Sequence, residues 1–344
     1  MELIQRICLM AILGIIFIST GCSSRHLEVL YNGNFHDIQQ IAINRNENFC
    51  VVLLDTSNLT SKIYKERLER NHIKTVFNMI DIRLPQNNWY QQWLYSISDP
   101  ITCIFSPSGN LIDIIPGASR KCFDCIGQVV KTGEMCRKLV YYNNFSMDKE
   151  QLISLLSDIL FCKLDLEKGL NIEPRINKLM DSINYPYTAY LRMMNLDKYG
   201  KHETAQLVAK HLLTFDSDLE LEIYPELFIA AKGVIDSCYN PKVEPVLECV
   251  TLIELGRCEK GVAKSFKIEI FNSGNAPLEI KEVQLSCSCV KLIGDEIYTI
   301  LPQESQYINF EFTADKDEKI ERELILKSNG IYPMHKIKII ADSS

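Results

Sequence analysis

From residue 35 to residue 145 the hydrophobic pattern alternates between that of strands and that of helices. Phe49 to Leu54 is apolar throughout, which is typical of a strand covered on both faces. Three further strands are predicted over Thr75 to Ile82, Ile101 to Phe105 and Leu111 to Ile115. Helices are predicted between the first three strands, and a last one near Ser119. The predicted order is therefore β-α-β-α-β-β-α.

From residue 146 to residue 244 the pattern is helical. Apolar residues recur at spacings of three and four, as at Leu152, Leu155, Leu156, Ile159 and Leu160. A helical hairpin is predicted from Tyr190 to Phe215, and its turn resembles one tetratricopeptide repeat. A connecting helical layer is the other interpretation, because a single repeat cannot bury its own apolar face.

From residue 245 to residue 344 the period changes to two. Ile268 and Ile270 alternate with polar neighbours, and the same alternation returns near Phe310 and again near Ile337. Turn residues such as Asn272 to Pro277 separate the alternating segments. Several short alternating strands predict an antiparallel β-sandwich.

The amino terminus carries an apolar run of twelve residues, Ile7 to Ile18. Such a run is too short to span a bilayer and matches the core of a signal peptide. Small residues then precede Cys22, in a segment that resembles a bacterial lipobox but departs from it at Ser19. We predict a lipoprotein signal peptide over residues 1–21, a lipid on Cys22 and a tether over residues 22–34. The alternatives are an ordinary secretory signal with Cys22 as a bystander, or a cytoplasmic protein with an apolar amino terminus.

Composition narrows the range of functions. The net charge is −7 and there is no Lys/Arg run, so nucleic-acid binding is not expected. No HExxH, P-loop, GxSxG or GxGxxG motif is present, and the six His residues stand singly. We therefore predict no cofactor. Of the 13 Cys, Cys8 and Cys22 belong to the predicted signal and anchor, and the remaining 11 leave at least one thiol unpaired in each monomer unless chains cross-link.

The segment Asp99-Pro100-Ile101-Thr102, followed by Phe105 to Gly109, resembles the thioredoxin family. The resemblance covers residues 35–145 and implies that Pro100 is a cis-proline. It also implies a Cys-x-x-Cys motif after the first long strand, where this sequence has Ser57 and Thr60. A hydroxyl is too weak an acid for disulfide exchange, so this site is predicted to be inactive.

Residues 252–340 resemble the bacterial domain-of-unknown-function family 1573, which is immunoglobulin-like. The residues that carry the resemblance are Leu255-Gly256, Glu259-Lys260-Gly261, Phe271 to Ile280, Val283, Ser286 to Cys289 and Leu301-Pro302. The family usually has Gly where this sequence has Ser288. The resemblance implies an extracytoplasmic interaction module.

Two pairs of Cys are candidates for chemistry. Cys287 and Cys289 share the parity of the apolar residues before them, and in a regular strand they would lie about 6.6–6.8 Å apart, too far to bond without a bulge or turn. Cys122 and Cys125 would share one face at a helix amino terminus, with Cys136 alone. Each pair is either a redox or metal site, or small buried side chains.

Trp89 and Trp93, four residues apart, mark a short helix. They are either a recognition stripe or an anchor for that helix in the core. Core anchoring is the preferred interpretation.

Together these patterns predict a multidomain α+β protein: a thioredoxin-like α/β domain over 35–145, a helical linker domain over 146–244 and an immunoglobulin-like β-sandwich over 245–344. We predict a non-enzymatic binding or assembly module, lipid-anchored in the cell envelope as a periplasmic or outer-membrane lipoprotein, with a protein or envelope component as partner. The alternative is a thiol-disulfide or metal-handling protein using Cys122/Cys125 or Cys287/Cys289. A sensor or accessory lipoprotein for an exported peptide system is a third hypothesis.

Overall fold

The computed structural model describes residues 28–343, apart from residues 72, 140, 142, 295–297 and 317. Cys22 and the predicted signal peptide lie outside the described residues. The chain forms two compact units, one ending at Phe161 and the other beginning at Cys162. Among the residues described, no helix is both long and apolar enough to cross a bilayer.

A five-stranded sheet forms the centre of the first unit. Its strands are β1 (Glu28–Tyr31), β2 (Phe49–Leu54), β3 (Val76–Asp81), β4 (Ile101–Phe105) and β5 (Leu111–Pro116). The order across the sheet is β1-β3-β2-β4-β5. The first three strands are parallel, and β4 and β5 are antiparallel to their neighbours. Every residue of β2, β3 and β4 is buried, and for β2 this agrees with its continuous apolar run.

Helices cover this sheet and close its core. They are α1 (Phe35–Arg45), α2 (Leu59–Asn71), α3 (Asn88–Leu94), α4 (Arg120–Thr132) and α5 (Lys149–Glu167), which continues into the second unit. Ser119 caps α4 by accepting a hydrogen bond from the Cys122 backbone N–H. Tyr64 of α2 and Phe123 of α4 pack against each other, with ring centroids 4.9 Å apart.

Part of the segment predicted to be a tether, residues 22–34, is a strand. Residues 28–31 form β1, which pairs in parallel with β3. Three of its four residues are partly buried, but a four-residue edge strand is too short to show a clear period.

The second unit begins with helices and continues into a β-sandwich. Its helices are α6 (Glu173–Ser182), α7 (Pro186–Lys198), α8 (His202–Leu212), α9 (Asp218–Ile223) and α10 (Pro225–Ile235). The predicted helical hairpin corresponds to α7 and α8, with Gly200 at positive φ in the turn between them.

In the described part of the sandwich the strands are β6 (Leu247–Glu248), β7 (Leu252–Cys258), β8 (Ala263–Asn272), β9 (Leu278–Leu285), β10 (Val290–Ile293), β11 (Tyr298–Ile300), β12 (Ser305–Thr313), β13 (Lys319–Ser328) and β14 (Met334–Ser343). One sheet has the order β10-β12-β8-β6 and the other β11-β9-β13-β14-β7. All pairs are antiparallel except β14 with β7. The predicted alternating residues Ile268, Ile270, Phe310 and Ile337 are all buried in its core.

From Cys162 onward the helical segment belongs to the same compact unit as the sandwich, whereas the sequence suggested a separate helical domain over residues 146–244. Lys327 of β13 pairs with Asp218 of α9 at 2.7 Å, and Lys336 of β14 pairs with Glu222 at 2.5 Å. The sequence could not reveal these ion pairs, because their partners lie more than a hundred residues apart.

Candidate functional site

A polar cluster lies at the carboxyl end of β2, where the thioredoxin resemblance places the redox motif. One carboxylate oxygen of Asp99 accepts hydrogen bonds from the Asp55 backbone N–H at 3.1 Å and from Asn58 Nδ2 at 2.6 Å. The peptide bond between Asp99 and Pro100 is cis. Ser57 donates through both its backbone N–H and its hydroxyl to Asp55 Oδ1, at 2.8 and 2.6 Å. The loop that carries Ser57 is thus held together by its own side chains.

Asp81, at the end of β3, extends this cluster. Its carboxylate accepts from the Thr56 hydroxyl at 2.6 Å and pairs with Arg83 at 2.8 Å. Burial favours the neutral carboxyl, but the hydrogen bonds from Arg83 and Thr56 outweigh it and lower the pKa of Asp81 to about 2. Asp81 is therefore ionised at neutral pH and committed to its internal partners.

The polar cluster contains hydroxyls, carboxylates and a guanidinium, but no sulfur. Ser57 and Thr60, at the positions where the thioredoxin resemblance implies the two thiols, are both exposed. Within the described part of the chain, no group of three or more His, Cys, Asp and Glu side chains has the arrangement of a metal site. The side chains at this place stabilise the loop and supply no nucleophile for disulfide exchange.

The structure does not join Cys122 to Cys125. Cys122 is buried, and its thiol donates to the Pro116 carbonyl at 3.1 Å and lies 3.0 Å from the Ser119 hydroxyl. Cys125 instead forms a disulfide with Cys136. Our expectation that Cys136 has no partner is therefore wrong, because the segment after α4 folds back against the helix.

The Cys125–Cys136 disulfide is enclosed by the core and by a buried ion pair. Its two Cys residues are 1% and 0% exposed. The Cys136 backbone N–H donates to Asp113 Oδ2 at 2.7 Å, and Asp113 is itself fully buried. Lys149 reaches the other oxygen of Asp113 at 2.5 Å. An incoming thiol has no direct access to this bond.

Cys287 and Cys289 form the second disulfide of the described residues. Strand β9 ends at Leu285, and the pair lies in the turn that leads to β10. The turn brings their Cα atoms to 5.2 Å, within the range that a disulfide requires. The expectation of two unbonded thiols depended on a regular strand, and the strand ends two residues too early for it.

The two sulfurs of this second disulfide have different surroundings. Cys287 is partly exposed, whereas Cys289 is 9% exposed and borders the sandwich core. Arg322 Nε donates to Cys289 Sγ at 3.2 Å. The guanidinium of Arg322 also faces Asp315, at 3.3 and 3.4 Å from its two carboxylate oxygens. Sequence reasoning missed Arg322, because 33 residues separate it from Cys289 and no motif links them.

Other candidate residues are packing elements. Trp93 is fully buried and its indole N–H donates to the Leu156 carbonyl at 2.8 Å, which supports the interpretation of a core anchor. Cys50 and Cys103 are also fully buried, and burial raises the pKa of both thiols. Such thiols are poor nucleophiles.

Comparison with known proteins assigns a family to the sandwich alone. The family model described as the HYDIN/CFA65/VesB-like, Ig-like domain matches residues 245–342. The carboxy-terminal module is therefore immunoglobulin-like. No curated protein matches the chain.

Among solved structures, a protein of unknown function from Porphyromonas gingivalis W83 is 21% identical, over 31% of this chain and 50% of that one, with a TM-score of 0.27. This chain thus spans about half the length of that protein. PapD-like domain 7 of human CEP192 is 8% identical, over 31% of this chain and 89% of that one, with a TM-score of 0.26. The Vibrio cholerae VesB protease is 15% identical, over 28% of this chain and 31% of that one, with a TM-score of 0.24. At these TM-scores, the assignment of the sandwich stands on its strand topology and the family match.

Proposed function

We propose that this chain is a lipid-anchored module of the cell envelope that binds or assembles a partner protein and is not an enzyme of the thioredoxin type. The polar cluster around Asp55 and Asp99 carries this proposal. Where the thioredoxin resemblance implies a redox motif, this chain has polar side chains that bond to one another. Since function depends on the side chains of a site and not on the fold, we propose that a scaffold of this kind without the thiols serves in recognition.

The first unit is proposed to be a thioredoxin-like domain. Its sheet order, with β4 antiparallel to the other four strands, and the cis bond at Pro100 support this assignment. We further propose that the sandwich belongs to the domain-of-unknown-function family 1573, because its motif residues from Leu255 to Pro302 resemble those of that family.

We also propose that a lipid on Cys22 anchors the chain to a membrane.

The outer strands of the sandwich supply a surface for a partner. β7 lies at the edge of its sheet and begins at Leu252, which is 46% exposed, and Val250, two residues earlier, is 52% exposed. β10 lies at the edge of the other sheet and exposes Ile293. An edge strand with exposed apolar side chains can accept an extended segment of another protein through backbone hydrogen bonds.

Site-specific photo-crosslinking in intact cells tests this surface. A photoreactive residue at Leu252 is expected to give a discrete adduct with one partner protein. The matched control is Leu207 on α8, which is also exposed and apolar but lies outside the sandwich. Equal adduct patterns from the two positions would contradict the proposal.

Membrane fractionation tests the anchor. Cys22→Ser removes the thiol that would carry the lipid, and should move the chain from the membrane fraction to the soluble fraction, since a protein loses stable anchoring without its acyl chains. Cys8→Ser, within the predicted signal peptide, is the control and should leave the distribution unchanged. Retention of Cys22→Ser on membranes after a high-salt wash would refute lipid anchoring.

A further inference from the structure

The Cys287–Cys289 disulfide is asymmetric in access. Cys287 is partly exposed, whereas Cys289 is nearly buried against the sandwich core. A thiolate attacks a disulfide along the line of the bond and must reach one sulfur from outside. Cys287 is therefore the sulfur that an incoming thiolate can reach more easily. Attack at Cys287 makes Cys289 the leaving group.

Arg322 is placed to stabilise that leaving group. Its Nε already donates to Cys289 Sγ at 3.2 Å while the bond is intact. When the bond breaks, Cys289 leaves as a thiolate, and a hydrogen bond from a cation to an anion is stronger than one to a neutral sulfur. A better-stabilised thiolate leaves faster and also favours the reduced state.

The backbone around the pair is held in place independently of the disulfide. The Ser286 N–H donates to the Glu323 carbonyl at 3.1 Å, and the Glu323 N–H donates to the Ser286 hydroxyl at 2.9 Å. The Thr313 N–H donates to the Cys289 carbonyl at 2.8 Å. These bonds would keep Cys289 beside Arg322 after reduction, so the site is preorganised for both states.

We propose that Cys287 and Cys289 form a thiol–disulfide exchange site that accepts two electrons from a dithiol of a partner protein. The first thiolate of the partner forms a bond to Cys287 Sγ, the bond to Cys289 breaks, and its electron pair stays on Cys289 Sγ beside Arg322. The second partner thiol loses its proton to water and attacks the partner sulfur of the mixed disulfide. Cys287 then leaves as a thiolate and takes a proton from water. The partner ends as a disulfide and the pair as a thiolate and a thiol.

Adduct mapping with glutathione tests the direction of attack. The oxidised full-length chain, in detergent, is treated with reduced glutathione as a monothiol probe, quenched with acid and mapped by mass spectrometry. Glutathione is expected on Cys287, with Cys289 free. Adducts found mainly on Cys289, or equally on both residues, would overturn the proposal, as would a pair that does not react.

Variants at Arg322 test the leaving group. Arg322→Gln should slow reduction of the pair by dithiothreitol about tenfold, because the thiolate loses its cationic donor. Arg322→Lys should recover part of the rate, since it keeps the charge. Arg257→Gln, an exposed site in the same sandwich, should react like the unchanged protein. Equal rates for Arg322→Gln and Arg257→Gln would overturn the role of Arg322. If Arg322→Gln fails to fold, the glutathione adduct map of the unchanged protein by itself decides whether the pair is an exchange site.

Discussion

The two disulfides among the described residues show how one kind of bond can serve two purposes. Cys125–Cys136 spans 11 residues, and both of its Cys residues are enclosed by the core of the first unit. Cys287–Cys289 spans two residues and leaves Cys287 partly exposed. The longer loop restricts the unfolded chain more, and so contributes more to stability. The shorter loop contributes less to stability. The partial exposure of Cys287 and the Arg322 guanidinium beside Cys289 favour its reaction with thiols.

The same contrast extends to the polar groups of each unit. In the first unit the Asp113 carboxylate accepts a hydrogen bond from the Cys136 backbone and pairs with Lys149. The Asp81 carboxylate accepts a hydrogen bond from Thr56 and pairs with Arg83. These groups are committed to internal partners. In the sandwich, Arg322 points its Nε at a sulfur that exchange chemistry can release. We therefore expect substitutions in the first unit to change stability, and substitutions around Cys289 to change reactivity.

Removing the enclosed disulfide should give the largest loss of stability. The double substitution Cys125→Ala/Cys136→Ala is expected to lower the free energy of unfolding of the first unit by about 3 kcal/mol, because it frees an 11-residue loop in the unfolded state. Both Trp residues of the chain, Trp89 and Trp93, lie in this unit, so Trp fluorescence during urea unfolding reports it selectively.

The matched control for this change is Cys287→Ala/Cys289→Ala, which removes the other disulfide. The Trp transition should be unchanged in that variant, because the substitutions lie in the second unit. Equal losses in the Trp transition from the two double variants would remove the distinction between the bonds.

Loss of the buried Asp113 carboxylate, beside the enclosed disulfide, should give the second-largest loss of stability. Asp113→Asn is expected to lower the free energy of unfolding of the first unit by about 2 kcal/mol, because Lys149, 14% exposed, loses its charged partner. The same Trp measurement checks this value. Asp158→Asn removes the same charge from an exposed position of α5 and should cost less than about 0.5 kcal/mol. A similar loss in both variants would show that net charge, and not the buried pair, causes the effect.

Asp81 should give the smallest effect, and one that depends on pH. Its folded pKa of about 2 lies below the ordinary value, so its ionised form stabilises the folded state above about pH 4. That contribution is lost as the pH falls from about 4 towards 2. Asp81→Asn should therefore lower the free energy of unfolding by about 1 kcal/mol at pH 7 and less at pH 3, allowing for the half-exposed Arg83.

Urea unfolding followed by Trp fluorescence at the two pH values measures this difference. Asp158→Asn is again the control, because its exposed carboxylate has no comparable set of partners to lose. A constant effect of Asp81→Asn at both pH values would contradict the role assigned to its ionised form.

The sequence predicted the strands of the first unit because their burial is continuous. The predicted bounds of β2 and β4 coincide with Phe49–Leu54 and Ile101–Phe105. β2 is buried on both faces and apolar at every position, and that pattern is visible without any knowledge of the fold. β1 is a short edge strand without such a pattern, so the sequence predicted a tether at its position.

The chemistry of the site was less accessible to sequence reasoning. The Cys-x-Cys spacing identified Cys287 and Cys289 as a pair, but their bond depends on where β9 ends. The pairing of Cys125 with Cys136 depends on how an irregular segment folds back, which periodicity does not encode. Arg322 reaches Cys289 through strand packing, and no local pattern in the sequence indicates such a contact.

The contrast between the disulfides can be measured in one sample. The oxidised full-length chain is equilibrated with dithiothreitol buffers of increasing reducing strength, free thiols are alkylated, and mass spectrometry gives the reduced fraction of each pair. Cys287–Cys289 is expected to be half reduced at a weaker reducing strength than Cys125–Cys136, which should stay oxidised in the same buffers. Reduction of both bonds at the same strength, or of Cys125–Cys136 first, would contradict the assignment of exchange chemistry to the sandwich.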